Sequence, residues 1–307
     1  MITEVPDANE FETQGIAFLN LAWDTLFHLV LELADASHWH KVAETEVSEK
    51  YWNAAKDALT TSFTLAHQGT EFLLKANIAE VSPFLLLSTR EWKDKWAENN
   101  TPYSEFYTVD AQQLVRLHNT VAKVRLSSEF REHFDSLRSM RNRIAHTIDR
   151  RLKVTISNVV IAVLAAVKEL VRHEDWISIR LEWLDGRPYP VAFEDVSNAR
   201  YKVAKEMKYV IEWLSRTELI KYFNFDKKRR RYICYTCSKS DETDTDTELV
   251  IKSAVLEPNT PLSTNMRCII CGDSAVKRLN CSQCSGNVID SKLSVCLTCG
   301  EELDRTD

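Results

Sequence analysis

The segment SSEFREHFDSLRSMRNRIAHTI, residues 127–148, combines an apolar stripe with a group of polar and basic side chains near its end. Its apolar residues recur every three or four positions, which matches an α-helix of about 3.6 residues per turn. They are Phe130, Phe134, Leu137, Met140, Ile144 and Ile148. The pattern predicts an amphipathic helix whose apolar face packs against neighbouring helices.

The same helical period extends through most of the first 220 residues. Glycine and proline, which interrupt helices, number only 6 and 7 among the 307 residues of the chain. Apolar residues recur at helical spacing in five further segments, which cover residues 15–35, 48–78, 109–122, 155–173 and 193–216. The sequence therefore predicts a mainly α fold built as a helical bundle.

All eight cysteines lie in the last quarter of the chain, and each belongs to a C-x-x-C pair. The pairs are Cys234/Cys237, Cys268/Cys271, Cys281/Cys284 and Cys296/Cys299. Two thiolates at this spacing can bind one metal ion, and two such knuckles complete the tetrahedral site that zinc prefers. The sequence therefore predicts two structural Zn²⁺ ions in sites that resemble zinc ribbons. Because four thiolates leave no open coordination position, no catalytic metal is expected.

Two alternatives concern these cysteines. A disulfide framework would suit a secreted chain, but the N-terminus lacks the basic-then-apolar pattern of a signal peptide. The pairing of the knuckles is also open. The eleven residues 285–295 between the third and fourth knuckles suit a short β-hairpin, which would leave the first knuckle to pair with the second. In the alternative, nested arrangement the second knuckle joins the third.

These patterns divide the chain into four predicted segments. A polar segment, residues 1–14, precedes a helical domain over residues 15–180. Residues 181–226 are predicted to form a helical extension with a basic linker, and residues 227–307 hold both zinc sites.

The charge of the chain limits its partners. A formal net charge of −6 argues against a protein that coats nucleic acid through its overall charge, so any nucleic-acid contact must be local. The longest apolar run, residues 159–167, has nine residues, whereas a membrane-spanning helix needs about 20. We therefore expect a cytoplasmic protein that does not enter a membrane.

Five successive cations precede the first cysteine knuckle and are candidates for contact with a nucleic-acid backbone. They are Lys227, Lys228, Arg229, Arg230 and Arg231. The same run could instead form a solubilising linker or pair with the acidic segment DETDTDTE, residues 241–248.

The end of the 127–148 helix carries a second group of polar and basic residues. Arg141 falls on the apolar stripe, where a charge is costly unless it is paired or lines a cleft. Asn142 and His146 are four residues apart and share a neighbouring face. Between residues 136 and 153 there are six arginine or lysine side chains and one acidic residue. The cations of this patch that we expect to contact nucleic acid are Arg138, Arg150 and Arg151.

The run RNRIAH, residues 141–146, resembles the arginine-x4-histidine motif of HEPN domains, helical modules of many ribonucleases, toxins and phage-defence proteins. Residues 66–87 resemble the early long helix of that family, and the whole resemblance covers residues 50–175. It implies a homodimer in which two such motifs form one composite RNA-cleaving site. On this basis Arg141, Asn142 and His146 match the catalytic positions of the motif.

The resemblance is also compatible with the chemistry of these side chains. Histidine can act as base or acid near neutral pH, arginine binds phosphate oxygens in a planar fork, and Asn142 could orient the imidazole. We expect Glu71 to be the carboxylate partner of Arg141 and Arg143 to support the site. The toxin subgroup carries a tyrosine where this chain has Ile148, so the regulation of that subgroup is not expected here.

The resulting hypothesis is a metal-independent endoribonuclease of defence or toxin type, whose products carry 2′,3′-cyclic phosphate and 5′-hydroxyl ends. The zinc ribbons would recognise RNA, or a protein partner that activates or inhibits the enzyme. Two alternatives belong to other classes. One is an inert helical dimer that binds nucleotide or nucleic acid and uses Arg141 only as a structural ion pair. The other is an adaptor whose ribbons dock onto a larger complex.

Overall fold

The computed structural model describes six ranges of the chain, which are residues 1–40, 50–88, 100–146, 153–186, 199–238 and 251–303. The chain divides into two compact units, Met1–Trp176 and Ile177–Asp307. Helices account for most of the described residues, so the predicted mainly α class is confirmed.

Five α-helices make up most of the described part of the first unit. They are α1 (Ala8–His40), α2 (Lys56–Ala79), α3 (Ala111–Val121), α4 (Ser128–His146) and α5 (Ile156–Leu170). The central helix is α2, because α1, α3, α4 and α5 all pack against it. A 3₁₀ helix (Pro83–Leu86) follows α2, and strand β1 (Ile2–Thr3) pairs in parallel with β2 (Thr101–Pro102).

Capping residues explain where two of these helices begin. Thr155 caps α5: its hydroxyl accepts a hydrogen bond from the Asn158 backbone, and the Asn158 side chain accepts one from the Thr155 N–H. Asp7 and Glu10 form the same reciprocal pair, with two hydrogen bonds of 2.8 Å, before the first turn of α1. For this reason α1 begins at Ala8, inside the segment 1–14 for which no helix was predicted.

The first helix is long and apolar. Over Ala8–Ala34 it could cross a membrane by length and composition, although the core helix of a soluble protein passes the same test. Leu19, Trp23 and Leu26 are fully buried within the protein. This helix therefore does not establish a membrane span, and the cytoplasmic location stays a prediction.

Two glycines allow α1 and α2 to approach closely. A Cβ atom added at Gly69 would lie 2.7 Å from Leu19 Cδ2 and 2.9 Å from the Gly15 carbonyl oxygen. A Cβ atom at Gly15 would lie 3.1 Å from the Gly69 carbonyl oxygen. Because backbone atoms block these positions, side-chain rotation alone cannot make room for a larger residue.

We therefore expect Gly69→Val to destabilise the first unit by about 1–3 kcal/mol, the usual cost of overpacking. Urea unfolding followed by circular dichroism measures the change. Thr61→Ala, on the exposed side of the same helix, is the control and should change the unfolding free energy by less than about 0.5 kcal/mol. Equal effects of the two variants would contradict the close crossing of α1 and α2.

The second unit combines short helices with a small sheet. Its helices are α6 (Trp176–Asp185), which starts at the last residue of the first unit, α7 (Ala199–Trp213), α8 (Arg216–Phe223) and the single turn α9 (Tyr235–Ser238). Five antiparallel strands follow one another in the sheet in chain order: β3 (Arg231–Tyr232), β4 (Ala254–Leu256), β5 (Asn265–Cys268), β6 (Gly272–Lys277) and β7 (Ile289–Asp290). The predicted helical extension and zinc-ribbon region thus lie in one unit.

Two features of this unit differ from the sequence prediction or were absent from it. The helix predicted over 193–216 ends at Trp213, because the Ser215 hydroxyl accepts a hydrogen bond from the Glu218 N–H and begins α8 as a new helix. Residues 193–198 of that prediction lie outside the described residues. A buried ion pair links α6 to α7, in which Arg180 Nη2 lies 2.7 Å from Glu206 Oε1. Both side chains are less than 10% exposed.

Candidate functional site

The first four cysteines converge on one point of the second unit. Cys234 and Cys237 flank the start of α9, whereas Cys268 and Cys271 lie at the turn between β5 and β6. The Sγ atoms lie within 4.8 Å of one another, with 3.4 Å between Cys234 and Cys271 and 4.0 Å between Cys237 and Cys268. Sulfurs in a tetrahedral zinc site, each about 2.3 Å from the metal, are separated by about 3.8 Å. These four thiols could therefore hold one metal ion.

The last four cysteines form a second group of the same kind. Cys281 Sγ lies 3.8 Å from Cys299 Sγ, and Cys284 Sγ lies 3.7 Å from Cys296 Sγ. The turn between β7 and Cys296 brings the two knuckles together, since the Asp290 N–H donates to the Val295 carbonyl. The first knuckle thus pairs with the second and the third with the fourth, as predicted from the hairpin, and the nested arrangement is not adopted.

Backbone groups around the sulfurs suit metal-bound thiolates. The N–H groups of Ile270, Gln283 and Gly286 donate to the sulfurs of Cys268, Cys281 and Cys284, at distances of 3.4, 3.4 and 3.2 Å. Donors directed at sulfur stabilise its ionised form, which is the form that binds metal. The donor set therefore fits zinc at both sites.

Glycines follow two of the knuckles. Gly272 comes directly after Cys271 and has a φ of +84°, and Gly300 comes directly after Cys299 and has a φ of +89°. Only glycine adopts this left-handed conformation at little cost. The C-x-x-C-G pattern is therefore a sequence signal for the geometry of these turns.

The two candidate metal sites differ in burial. In the first site Cys234, Cys237 and Cys268 are buried and Cys271 is half-buried. In the second site Cys284 is half-buried and Cys299 is exposed. The second site is therefore more open to solvent than the first.

The candidate catalytic residues lie on the last two turns of α4. Arg141 and Asn142 are half-buried, with Arg141 Nη1 3.4 Å from Asn142 Oδ1, whereas Arg143 and His146 are exposed. Burial declines along the helix: Phe130, Phe134 and Leu137 are buried, and Met140 and Ile144 are half-buried. Ile148, Arg150 and Arg151 lie outside the described residues. The basic end of α4 is thus at the edge of its packing face.

Glu71, the expected partner of Arg141, belongs to a row of ionisable side chains on α2. His67 Nδ1 lies 3.5 Å from Glu71 Oε1, and Lys75 Nζ lies 3.2 Å from Thr108 Oγ1. Burial raises the pKa of Glu71, and the positive charges of Lys75 and Arg141 oppose this shift. The charge of Arg141 therefore favours the ionised form of Glu71, although no direct ion pair joins the two side chains in the described part of the chain.

Sequence reasoning missed His67. Its side chain is 2% exposed, and its ring stacks on Phe134 of α4 with 5.7 Å between centroids and 10° between planes. Burial, together with the charges of Arg141 and Arg138, lowers the pKa of His67 to about 4. The spacing of His67, Glu71 and Lys75, four residues apart on one helix face, is a signal that could have found it.

Most of the basic run before the first knuckle has structural contacts. Lys227 Nζ donates to the backbone carbonyl oxygens of residues 211 and 214 at 3.3 and 2.6 Å, at the end of α7. Arg229 pairs with Glu257 at 2.9 Å, and Arg231 lies 3.5 Å from Glu212. Lys228 and Arg230 are exposed. The run therefore presents two exposed cations rather than five.

The remaining expected contacts for nucleic acid are only partly described. Arg138 is half-buried and lies 3.5 Å from the Asp135 carboxylate. The acidic segment 241–248, a suggested partner of the basic run, lies outside the described residues.

Comparison with known proteins gives no further assignment. No family model matches the chain. No curated protein and no solved structure matches it either.

Proposed function

We propose that the protein is a metal-independent endoribonuclease of the HEPN type that acts as a homodimer. The observation that supports this best is the placement of Arg141, Asn142 and His146 at the accessible end of α4. A guanidinium, an amide and an imidazole lie there on consecutive turns, where an RNA strand could reach them.

In this proposal each side chain has one role. His146 takes the proton of the RNA 2′-hydroxyl as it attacks the adjacent phosphorus, or protonates the 5′-oxygen that leaves. Arg141 binds the phosphate oxygens and stabilises the charge that develops on them. Asn142 accepts a hydrogen bond from Arg141 and limits its orientation. The products are a 2′,3′-cyclic phosphate and a 5′-hydroxyl.

We further propose that both cysteine groups bind zinc and that neither ion takes part in the chemistry. Four thiolates fill the tetrahedral coordination of zinc, so no position remains for water or phosphate. The ions would stabilise a module that recognises RNA, through the exposed Lys228 and Arg230, or a regulatory protein partner. A ribonuclease of defence or toxin type needs a mechanism that restrains its activity, and the binding of a regulatory protein partner would supply one.

The deciding experiment is cleavage of total RNA in excess EDTA by the wild type, His146→Ala and Asn119→Ala. Asn119 accepts a hydrogen bond from the Leu126 backbone before α4 begins and serves as the control outside the motif. We expect wild-type cleavage with cyclic phosphate ends and a loss of about 100-fold or more in His146→Ala, the usual contribution of a general base. Because EDTA can also remove structural zinc, zinc content and circular dichroism are followed in the same samples to establish whether each protein stays folded.

One observation favours the inert binding module as a second candidate. The charge of Arg141 influences the half-buried Glu71 and the buried His67, as that of a purely structural cation would. Under that hypothesis folded wild type binds RNA but leaves it intact, and Arg141→Met lowers stability rather than activity.

Two further results would contradict the ribonuclease proposal. They are cleavage that needs an added divalent ion and cleavage of DNA.

A further inference from the structure

The segment from α7 to β3 is strongly basic, although the chain as a whole is acidic. Residues 199–232 contain eleven lysine or arginine side chains and four acidic ones, whereas the net charge of the chain is −6. Each of the four carboxylates already has a partner within the fold. These pairs are Glu206 with Arg180, Glu212 with Arg231, Glu218 with the Ser215 N–H and Asp226 with Arg216. The remaining positive charge favours a polyanionic partner.

Two lysines on the outer side of α7 carry part of this positive charge. Lys208 is exposed, and Lys205, three residues before it on the same helix, is half-buried. Neither forms an ion pair with a carboxylate in the described part of the chain. Instead, Lys205 Nζ lies 4.7 Å from the centroid of the Tyr201 ring, and Lys208 Nζ lies 5.6 Å from that of Tyr209. A cation over an aromatic ring keeps its charge, so both ammonium groups can contact an external anion.

Two aromatic side chains adjoin these lysines. The rings of Tyr209 and Trp213 are half-buried, with 5.7 Å between their centroids. Residues three and four apart are neighbours on a helix surface, so Tyr209 lies next to Lys205 and Trp213 follows one turn later. Proteins bind single-stranded nucleic acid with this combination, in which bases stack on aromatic rings and cations contact the phosphates.

The basic run before the first cysteine knuckle is held against the same helix. Arg231 Nη1 lies 3.5 Å from the carboxylate of Glu212, which is one turn after Lys208. Lys227 Nζ donates to two backbone carbonyl oxygens at the end of α7. The turn α9, which carries Cys237, also packs against α7. The first cysteine site thus lies beside α7, and the basic run extends the positive charge of the helix toward it.

We infer that the α7 face, made of Lys205, Lys208, Tyr209 and Trp213, binds single-stranded RNA. The lysines contact phosphates and the rings stack on bases, so binding does not depend on base sequence. An acidic protein fits this face less well, because lysine is depleted at protein–protein interfaces, whereas it binds phosphate readily as a point charge. The inference rests on the proposed function, in which RNA is the substrate, and assigns capture of that RNA to the second unit.

The first test measures binding to an RNA analogue that cannot be cut. A fluorescent 2′-O-methyl oligouridylate of about 12 nucleotides, within the site sizes of single-strand binding proteins, is titrated with the full zinc-loaded chain at several salt concentrations. Each phosphate contact contributes about 0.7 to the slope of log K against log salt. We expect Lys205→Gln/Lys208→Gln to weaken binding about tenfold and to reduce the slope by about 1.4. The control Lys277→Gln/Lys292→Gln removes the same charge from exposed positions at the β6–β7 end of the sheet, opposite β3, and should change neither.

The second test concerns stacking. Tyr209→Leu removes a ring but no charge, so it should weaken binding of the single strand about fivefold or more and leave the salt slope unchanged. It should not change the affinity for an RNA duplex, because the bases of a duplex already stack on one another. Circular dichroism and thermal unfolding check that every variant folds like the wild type.

Three results would overturn the RNA-binding face. They are equal effects of the two lysine double variants, an unchanged affinity in folded Lys205→Gln/Lys208→Gln, and displacement of the probe by polyglutamate as readily as by unlabelled RNA. The last result would make an acidic protein the partner of this face.

The failure of this inference is distinguishable from failure of the proposed function, because the probe lacks the free 2′-hydroxyl that cleavage requires. A wild type that binds the probe through α7 but cuts no RNA would contradict only the ribonuclease. Cleavage of RNA by a chain whose binding ignores the α7 variants would contradict only the RNA-binding face.

Discussion

Replacement of Cys237 by serine is expected to release one of two zinc ions and to unfold the sheet of the second unit. Cys237 is completely buried, and its Sγ lies 4.0 Å from that of Cys268, at the end of central strand β5. Structural zinc contributes about 10–16 kcal/mol of apparent binding free energy in small zinc modules. This binding free energy is as large as, or larger than, the net free energy of unfolding of most domains, about 5–15 kcal/mol. Without the first ion, the pairing of β5 with its neighbours should be lost.

Zinc analysis and circular dichroism measure this effect. Wild type should contain two zinc ions per chain, and Cys237→Ser at most one, with loss of the strand signal. The helical signal of Met1–Trp176 should remain, because that unit holds none of the ligands. Ser282→Ala, inside the third knuckle but without a sulfur, is the matched control and should keep both ions. A chain that purifies without zinc but with its sheet intact would contradict the proposal.

The difference in burial between the two sites adds a kinetic expectation. A chelator should remove the ion of the second site first, because Cys299 is exposed and Cys284 is half-buried. Release followed with a coloured zinc indicator should show a fast and a slow phase. Cys281→Ser should abolish the fast phase and Cys237→Ser the slow one. If Cys281→Ser abolished the slow phase and Cys237→Ser the fast one, solvent access would not govern the order in which the zinc ions are released.

Much of the fold could be predicted because its signals are local. Helical periodicity located five helices of the first unit and α7, and the C-x-x-C spacing with the 285–295 hairpin located both four-thiol groups. The start of α1 at Ala8 and the break at Ser215 were missed although each has a capping signal, Asp7 with Glu10 and Ser215 with Glu218. In these cases a side chain three residues away, rather than the apolar pattern, sets the helix boundary.

The sheet and the environment of His67 could not be predicted in the same way. Three of the five strands, β3, β4 and β7, have only two or three residues, too few for an alternating pattern to appear, and the pairing of β5 with β6 depends on the turn that holds Cys271. Along α2, His67 interrupts an apolar face like any core histidine. The stacking of His67 and its low pKa depend on Phe134 and Arg141, which are more than 60 residues away in the sequence. These residues come near His67 only when α4 packs on α2.

Removal of one partner from the buried pair between α6 and α7 is expected to destabilise the second unit strongly. The Arg180 guanidinium makes contacts of 2.7, 3.2 and 3.3 Å with the Glu206 carboxylate, and both residues are at most 5% exposed. Arg180→Met leaves a carboxylate in the interior without this cation, which costs about 3–5 kcal/mol in comparable buried pairs. Glu206→Leu leaves the cation and should have an effect of similar size.

The double variant Arg180→Met/Glu206→Leu separates two causes of instability in the single variants. One is the loss of the ion pair, and the other is the buried charge that each single replacement leaves behind. Apolar residues of similar volume often replace a buried ion pair without loss, so most of the stability should return. Urea unfolding of the zinc-loaded chain measures all three variants, and Arg216→Met, in the exposed pair with Asp226, should have a much smaller effect. Recovery in the double variant would mean that the loss comes from desolvation of the charge that remains after its partner on the other helix is removed. A double variant as unstable as Arg180→Met would instead mean that the hydrogen bonds between α6 and α7 hold these helices together.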